Sequence, residues 1–179
     1  MEHAPVKLDL TSPVDPTDHA RGTSGGHRLV VYGDFECPYT AAAMLDIGQL
    51  LNSGASFEVV FRHFPLRSIH PHAQAAAEAA EAADRQGRFW EMHNLLFGNQ
   101  LFGNQHHLED ADLRGYPERL GLDAARFEAD LIDPAIATRV ERDIESGTRS
   151  GVDGTPSLFI DGIRYRGPRD PASLRRALR

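Results

Sequence analysis

The order of strand and helix patterns along the chain constrains its fold more than any other sequence feature. Residues 28–33 form a short apolar run bounded by glycines, which predicts a buried strand, and residues 41–51 after Cys37 favour a helix. A second strand pattern covers residues 57–64 after a Ser-Gly break. The first part of the chain is therefore predicted to be β-α-β, which indicates an α/β fold.

Residues from about 67 to 150 carry only helical patterns. Residues 73–83 are a run of strong helix formers, and residues 89–96 place apolar side chains at helical spacing. Asp123 and Asp133, the second followed by a proline, are residue types that favour a helix start. The block is therefore predicted to be a helical insertion after the second strand.

Two features make parts of this helical block irregular. Pro117 lies inside the helical pattern of residues 110–120, and an interior proline loses a backbone hydrogen bond and clashes with the preceding turn. A kinked or short helix is expected there. Residues 96–100 recur immediately as residues 101–105, which predicts a loop lengthened by a local tandem duplication.

The end of the chain combines a hairpin with a helix. Residues 157–160 and 163–165 are apolar runs separated by Asp161-Gly162, a pair that suits a two-residue hairpin turn. Asp170, followed by a proline, then starts a terminal helix. The full predicted order is β-α-β, helices, β-β-α.

The length of 179 residues suits one domain. Residues 1–26 are rich in Pro, Asp, Ser and Gly and are predicted to form an extended N-terminal arm rather than a helix or strand. Residues 27–179 are predicted to form the folded domain, with the helical insertion at about residues 67–150.

Composition and charge exclude several classes of partner. The chain has 19 Lys and Arg residues against 26 Asp and Glu residues, a net charge of −7, so its field repels nucleic acid and anionic lipid. No window approaches the roughly 18–20 apolar residues of a membrane span. The N-terminus has neither the basic nor the apolar segment of a secretory signal, so we expect a cytoplasmic protein.

Cys37 is the single cysteine, so thiol chemistry has to reach outside the chain. Pro38 follows it and opens the predicted first helix, where unpaired N–H groups and the positive end of the helix dipole favour the thiolate. The alternative is a small buried apolar residue, which is the commoner fate of a single cysteine. A second feature is Thr155-Pro156, where a proline at a strand entrance admits a turn or a cis bond.

Together these features resemble the DsbA-like branch of the thioredoxin superfamily. The matching stretches, which span most of residues 28–179, are residues 32–39, 61–66, 70–73, 86–93 and 150–162. The resemblance implies an α/β thioredoxin fold with a helical insertion between the second strand and the cis-proline strand.

The resemblance also implies the residues of a site. It places a catalytic motif at four consecutive residues, Cys37, Pro38, Tyr39 and Thr40. The nucleophile is Cys37, and Pro156 follows a cis peptide bond beside it. The backbone of Thr155 pairs with a bound substrate chain like an added strand.

Thr40 departs from the family pattern, because members that make or break disulfides have a second, resolving cysteine at this position. With Cys37 alone, a mixed disulfide has to be released by glutathione, another low-molecular-weight thiol or the substrate's own second thiol. A dithiol oxidase cycle is excluded, whereas monothiol exchange, reversible glutathionylation, peroxide sensing and loss of the redox role stay open. An engineered substitution that traps mixed disulfides gives the same sequence. The Thr40 hydroxyl is either a hydrogen-bond partner of the Cys37 sulfur or part of an ordinary helix residue.

Three functions remain open from the sequence. The first is a monothiol thiol-disulfide oxidoreductase that acts on protein or peptide thiols and disulfides, with no bound cofactor and with glutathione or another low-molecular-weight thiol as co-substrate. The second is a redox-inactive peptide-binding or chaperone-like module that uses the groove beside Thr155 and Pro156. The third is a glutathione-dependent transferase or isomerase. The sequence is compatible with a monomer or a homodimer.

The nine histidines do not form a metal-binding pattern, so no metal site is predicted. His70 and His72 flank a proline at a helix start, where they are expected to cap or pack. The carboxylates of Asp34 and Glu36 would, if close, oppose formation of the Cys37 thiolate by like-charge repulsion.

Three aromatic residues, Phe89, Trp90 and Phe97, are predicted to pack a helix on its neighbours rather than to line a ligand site. His93 lies in the same helical pattern, and His106 and His107 fall in the loop that the duplication is predicted to lengthen. None of the three histidines is assigned to a ligand.

Overall fold

The computed structural model describes residues 9–102 and 108–179. The secondary structure of these residues, in chain order, is β1 (His19–Gly22), β2 (His27–Gly33), α1 (Pro38–Asn52), β3 (Phe57–His63), α2 (Ala73–Asp84), α3 (Phe89–Phe102), α4 (Asp110–Leu120), α5 (Ala124–Leu131), α6 (Pro134–Arg149), β4 (Ser157–Ile160), β5 (Ile163–Tyr165) and α7 (Pro171–Ala177). The predicted order is confirmed, except that β1 precedes it. His106 and His107 lie outside the described residues.

The strands form one mixed sheet in the order β1-β3-β2-β4-β5. β2 and β3 are parallel, and α1 connects them; the other neighbouring pairs are antiparallel. Helices α2 to α6 lie in the chain between β3 and β4, so the predicted helical insertion between the second strand and the proline strand is confirmed. Because β2 is central, the residues that follow its carboxyl end are held by the rigid middle of the sheet.

The prediction that residues 1–26 contain no strand is wrong for residues 19–22. They form β1, which pairs antiparallel with the edge of β3, from His19 opposite Phe61 to Gly22 opposite Glu58. The sequence pattern of β1 is too short and too polar to predict a strand. Its pairing depends instead on the edge of β3, whose residues come about forty positions later in the chain. His19 is the buried side chain of this strand.

A buried ion pair holds the segment before β1 against the sheet. The guanidinium of Arg62 in β3 donates from Nε and from a terminal nitrogen to the two carboxylate oxygens of Asp18, at 2.8 and 2.9 Å. It also donates to the backbone carbonyls of Ser12 and Pro13 and to the hydroxyl of Tyr32. Both charged side chains are almost fully buried, so the described part of the arm is fixed to the domain.

We expect Asp18→Asn to lower the free energy of unfolding by about 2 kcal/mol, because the buried Arg62 guanidinium loses its counter-charge while one hydrogen bond can persist. Urea unfolding of both proteins at neutral pH measures this difference. Asp15→Asn, which removes the same charge from an exposed position, is the control. An Asp18→Asn midpoint equal to that of the control would contradict the assignment.

The predicted helix starts are confirmed by side-chain caps. Asp123, Asp133 and Asp170 each accept a hydrogen bond from a backbone N–H in the first turn of α5, α6 and α7. The predicted hairpin between β4 and β5 is also confirmed, and Asp161 and Gly162 both have positive φ angles, as its turn requires. No described helix has both the length and the apolar character that a membrane span needs.

Within the described residues, the duplicated segment forms part of a helix and not the predicted loop. Its first copy and the first two residues of the second belong to α3, and the rest lies outside the described residues. Leu96 and Phe97 are buried in the core, and this burial stabilises the helical conformation despite the glycine that follows. Helix α4 continues through Pro117 over its predicted range.

The main core lies between the sheet and the helices, and a smaller cluster covers the other face. The first contains Phe35, Phe61, Phe89 and Phe97, and the second includes Tyr32, Val60 and Phe159 from adjacent strands. Phe89 and Phe97 are 3% and 4% exposed, so their predicted packing role is confirmed. Trp90 is half-buried and packs at the edge of this core.

Candidate active site at Cys37

Cys37 lies at the junction of the central strand and the first helix, as the sequence predicts. β2 ends at Gly33, the backbone turns so that the N–H of Cys37 donates to the carbonyl of Asp34 at 3.2 Å, and Cys37 is the N-cap of α1. Its backbone is extended, and Pro38 occupies the first helical position, where its missing N–H costs nothing. The sulfur is therefore carried at the positive end of a fifteen-residue helix.

The sulfur of Cys37 faces the segment that precedes β4. Its Sγ donates to the backbone carbonyl of Thr155 at 3.4 Å, across 118 residues of sequence. The peptide bond between Thr155 and Pro156 is cis, and β4 begins at the next residue. Cys37 is 3% exposed, so the thiol lies in a shallow recess rather than on the open surface. The fold thus brings together Cys37, Thr155 and Pro156.

The Thr40 hydroxyl is directed to the backbone before the cysteine. It accepts a hydrogen bond from the N–H of Asp34 at 3.5 Å, whereas the partner of the Cys37 sulfur is the Thr155 carbonyl. Thr40 is fully buried, and its methyl group packs against Gly33, where an added Cβ would lie 2.8 Å from it. Thr40 therefore fills the space beneath the turn that carries Cys37.

Two exposed apolar side chains flank the recess. Tyr39, in the first turn of α1, is 72% exposed, and Ile69 is 66% exposed in the loop after β3. That loop packs beside the turn at residues 34–36, because the backbone N–H of Leu66 donates to the carboxylate of Asp34 at 2.8 Å. The surface around Cys37 is thus partly apolar.

The carboxylates of Asp34 and Glu36 are occupied by hydrogen bonds from this loop. Asp34 is 1% exposed and accepts from the N–H of Leu66 and from Nδ1 of His70, each at 2.8 Å. Glu36 accepts from the backbone N–H of His72 at 2.7 Å. His70 and His72 thus pack against the turn before Cys37, and both acids serve to position that turn.

Sequence analysis missed a cluster of ionisable side chains where β1, β3 and α2 meet. Nε2 of His19 and Nε2 of His63 lie 2.6 and 2.7 Å from the same carboxylate oxygen of Glu81. These three residues could hold a metal ion, since their ligand atoms lie within 4.8 Å of one another. The guanidinium of Arg139, 3.9 Å from the second oxygen of Glu81, opposes a cation there and favours a hydrogen-bonded cluster.

The Glu81 carboxylate is stabilised in its charged form. Burial alone would raise the pKa of Glu81, but hydrogen bonds from His19 and His63 outweigh burial and hold the pKa well below its ordinary value. His19 and His63 are 62 and 18 positions away from Glu81 in the sequence. No short sequence motif could have revealed them.

His93 is a second buried residue whose environment the sequence did not predict. It is 1% exposed among the rings of Phe35, Phe61 and Phe97, with centroid distances of 5.8, 4.9 and 4.9 Å. Burial lowers its pKa to about 3, so the imidazole is neutral at physiological pH. Its Nε2 has no hydrogen-bond partner among the described residues.

A cysteine at the start of the first helix, facing the peptide bond before a proline, in a mixed sheet with a helical insertion, defines a thioredoxin-fold protein. The sequence profile of the family described as "Thioredoxin" matches residues 15–179, and the chain belongs to this family.

Solved structures with the same fold are DsbA-like proteins. A thioredoxin-like oxidoreductase from Silicibacter pomeroyi superposes with a TM-score of 0.77 at 24% identity, covering 91% of each chain. The thiol-disulfide exchange protein alpha-DsbA2 from Wolbachia pipientis superposes with a TM-score of 0.78 at 23% identity, covering 92% of this chain and 87% of that chain. The expected thioredoxin fold is confirmed.

Curated relatives share more sequence but are much longer proteins. One named Na(+)/H(+) antiporter NhaA 1, from Salinispora arenicola, is 48% identical over 162 residues, which is 89% of this chain and 24% of the relative. Another, named Na(+)/H(+) antiporter NhaA 3, from Salinispora tropica, is 46% identical over 96% of this chain and 26% of the relative. The chain therefore spans about a quarter of the length of these relatives.

Proposed function

We propose that this protein is a monothiol thiol-disulfide oxidoreductase in which Cys37 attacks disulfides and an external thiol completes the cycle. The observation that carries the proposal is the position of the sulfur at the N-terminus of α1, 3.4 Å from the Thr155 carbonyl. Unpaired N–H groups at a helix start stabilise a thiolate, which is the reactive form in exchange. The chain has no second cysteine, so no internal thiol can displace a bound substrate.

The proposed reaction consists of two thiol–disulfide exchanges, each of which breaks one disulfide bond and forms another. The Cys37 thiolate attacks one sulfur of a glutathione mixed disulfide or of glutathione disulfide, the old S–S bond breaks, and the departing sulfur leaves as a thiolate that takes up a proton. Cys37 then carries glutathione as a mixed disulfide. A second external thiolate attacks the glutathione sulfur, forms a new disulfide with it and regenerates the Cys37 thiolate. Glutathione is thus a co-substrate and is not permanently bound.

Peptide substrates fit the surroundings of Cys37. Thr155 lies just outside the regular strand β4, and the 3.4 Å contact from the Cys37 thiol to its carbonyl is lost when the thiol deprotonates, so its backbone can pair with an added extended chain. The exposed side chains of Tyr39, two residues after Cys37, and of Ile69, in the loop that packs beside the turn, provide apolar surface near the recess. We therefore propose protein or peptide thiols and disulfides as substrates. The cytoplasmic location and the oligomeric state stay predictions from the sequence.

The test is the formation and release of the glutathione adduct. We expect glutathione disulfide to add one glutathionyl group to the protein, detectable by intact mass, and reduced glutathione to remove it. The protein should also accelerate release of glutathione from a glutathionylated peptide. Cys37→Ser is the blank and is expected to do neither.

The alternative functions give different results in the same experiment. Exchange that survives in Cys37→Ser would overturn the proposal. Peptide binding that is equal in both proteins, with an inert thiol, would select the binding module. Turnover of an electrophile by bound glutathione without an adduct on Cys37 would select a transferase.

A further inference from the structure

A groove of about 510 Å³ lies between α1, α3 and β1, separate from the recess of Cys37. Apolar side chains form most of its wall, and they are Ala41, Met44, Leu45, Leu51, Phe97 and Leu101. Leu45 is 40% exposed, so part of this apolar surface is open to solvent. Its volume is in the range of small-molecule sites, which are mostly apolar with a few polar groups.

Arg21 supplies the one charged group among the described residues that line the groove. It forms no ion pair with a carboxylate among the described residues, and its Nε is buried there without a hydrogen-bond partner. The contact to the Asn94 side-chain oxygen is long, at 3.5 Å, and the guanidinium stacks 4.3 Å from the centre of the Trp90 ring. In a chain with seven excess negative charges, a half-buried cation without a counter-charge is an unusual feature that an anionic ligand would satisfy.

His93 provides a second unsatisfied polar group at the same end of the groove. It lines the groove, it is 1% exposed, and its Nε2 has no partner among the described residues. Its Nδ1 donates to the side-chain oxygen of Asn94 at 3.1 Å, so Nε2 of the neutral imidazole is a hydrogen-bond acceptor. Nε of Arg21 and Nε2 of His93 are therefore two buried nitrogens without a partner among the described residues, although both side chains also contact the Asn94 oxygen.

The polar and apolar parts of the groove follow one another along the direction of α1. A Cβ built on Gly48 would be 4.0 Å from a terminal nitrogen of Arg21, which places the guanidinium beside Gly48 in the second half of α1. From Gly48 back to Ala41 the helix rises roughly 10 Å. Across the groove, α3 runs from His93 to Leu101 over a similar length. One end carries Arg21 with the polar side chains of Gln49, Asn52 and Asn94, and the other end is apolar.

We propose that this groove binds an amphipathic monocarboxylate, with the carboxylate on the Arg21 guanidinium and the apolar body between Met44 and Phe97. A guanidinium binds a carboxylate through two parallel hydrogen bonds. A single cation matches a single negative charge, so a monoanion suits the site better than a phosphate monoester. The site is independent of the redox chemistry at Cys37.

The experiment titrates the whole chain with decanoate and measures heat and Trp90 fluorescence. Trp90 is the only tryptophan and stacks on Arg21, so a ligand at the guanidinium should change its emission. We expect saturable binding of one decanoate per chain. 1-Decanol, which has the same chain without the charge, is expected to bind at least about tenfold more weakly.

Three variants locate the site. Arg21→Gln should weaken decanoate binding at least about tenfold, and Gly48→Leu should abolish binding by filling the groove. A Cβ at Gly48 meets nothing closer than 4.0 Å, and leucine favours a helix, so this variant should fold. Arg169→Gln removes the same charge from an exposed position and should bind as the wild type does. Absence of saturable binding, equal loss in both arginine variants, or full binding by Gly48→Leu would each overturn the proposal.

Discussion

Thr40→Cys is expected to convert the protein into a dithiol that resolves its own mixed disulfide. In the wild type, the glutathione adduct on Cys37 should persist until an external thiol arrives. In the variant, the new thiol should attack the Cys37 sulfur, release glutathione and leave an intramolecular disulfide. We expect the lifetime of the adduct to fall at least about tenfold, because an intramolecular thiol has an effective concentration of millimolar or more.

The geometry around Thr40 supports this expectation. Cys37 is the N-cap and Thr40 is the third residue of α1, and Cα atoms three positions apart on a helix are roughly 5 Å apart, inside the Cα–Cα range of about 4.4–6.8 Å for a disulfide. Cysteine is close to threonine in size, so it fits the buried space beneath Gly33. The cost is the loss of one weak hydrogen bond, the 3.5 Å contact from the N–H of Asp34.

Intact mass and the rate of glutathione release measure the effect on one sample. The variant should lose two hydrogen atoms of mass once the adduct has resolved. Thr40→Ser keeps the hydroxyl without adding a thiol, so its adduct should last as long as that of the wild type. An equally long-lived adduct in Thr40→Cys would mean that the two positions do not come within bonding reach.

The parts of the fold that the sequence could predict are those determined by local chemistry. Asp123, Asp133 and Asp170 start helices because an aspartate side chain satisfies backbone N–H groups two or three residues away. The Asp161-Gly162 turn is predictable because few residue pairs accept two positive φ angles. The position of Cys37 follows in the same way from the glycine before it and the proline after it.

The parts that the sequence could not predict depend on contacts between distant residues. β1 forms because β3 has an edge with which it can pair, and the four residues of β1 do not by themselves form a pattern that predicts a strand. The lack of a carboxylate partner for Arg21 among the described residues and the burial of His93 are also consequences of packing. The resemblance to a known family supplied the position of Pro156 beside Cys37, after a cis peptide bond, which no pattern of spacing predicts.

We expect the free energy of unfolding to decrease as the pH falls from about 6.5 towards 3, with His93 as a main cause. Burial lowers the pKa of His93 to about 3, whereas an unfolded chain has the ordinary value near 6.5. Between these values the unfolded state binds a proton that the folded state does not. Acid therefore favours unfolding by up to about 1.4 kcal/mol for each pH unit, and by about 4 kcal/mol between pH 6.5 and 3, since the slope is only half as steep at each end of this window.

Glu81 adds to the acid effect at lower pH. Its folded pKa is held well below the ordinary value, so the stability that it contributes is present above about pH 4.5 and is lost as the pH falls further. The two residues act in the same direction but in different windows. Only His93 acts between pH 6.5 and 5, so this interval separates their effects. The exposed pair of His27 and Asp161 acts oppositely, because the hydrogen bond that His27 donates to the Asp161 carboxylate raises the pKa of His27.

His93→Leu and His93→Gln test this assignment. Each removes the titrating group, the first with an apolar and the second with a polar side chain, so both should reduce the change in unfolding free energy between pH 6.5 and 5 by about 2 kcal/mol. Urea unfolding at these two pH values measures it, and the difference between pH values is insensitive to any constant loss of packing in a variant. If both variants kept the full pH dependence of the wild type, another group would have to take up the proton. If only one variant lost the pH dependence, packing and not protonation of His93 would be the cause, since the two variants share nothing but the absence of the imidazole.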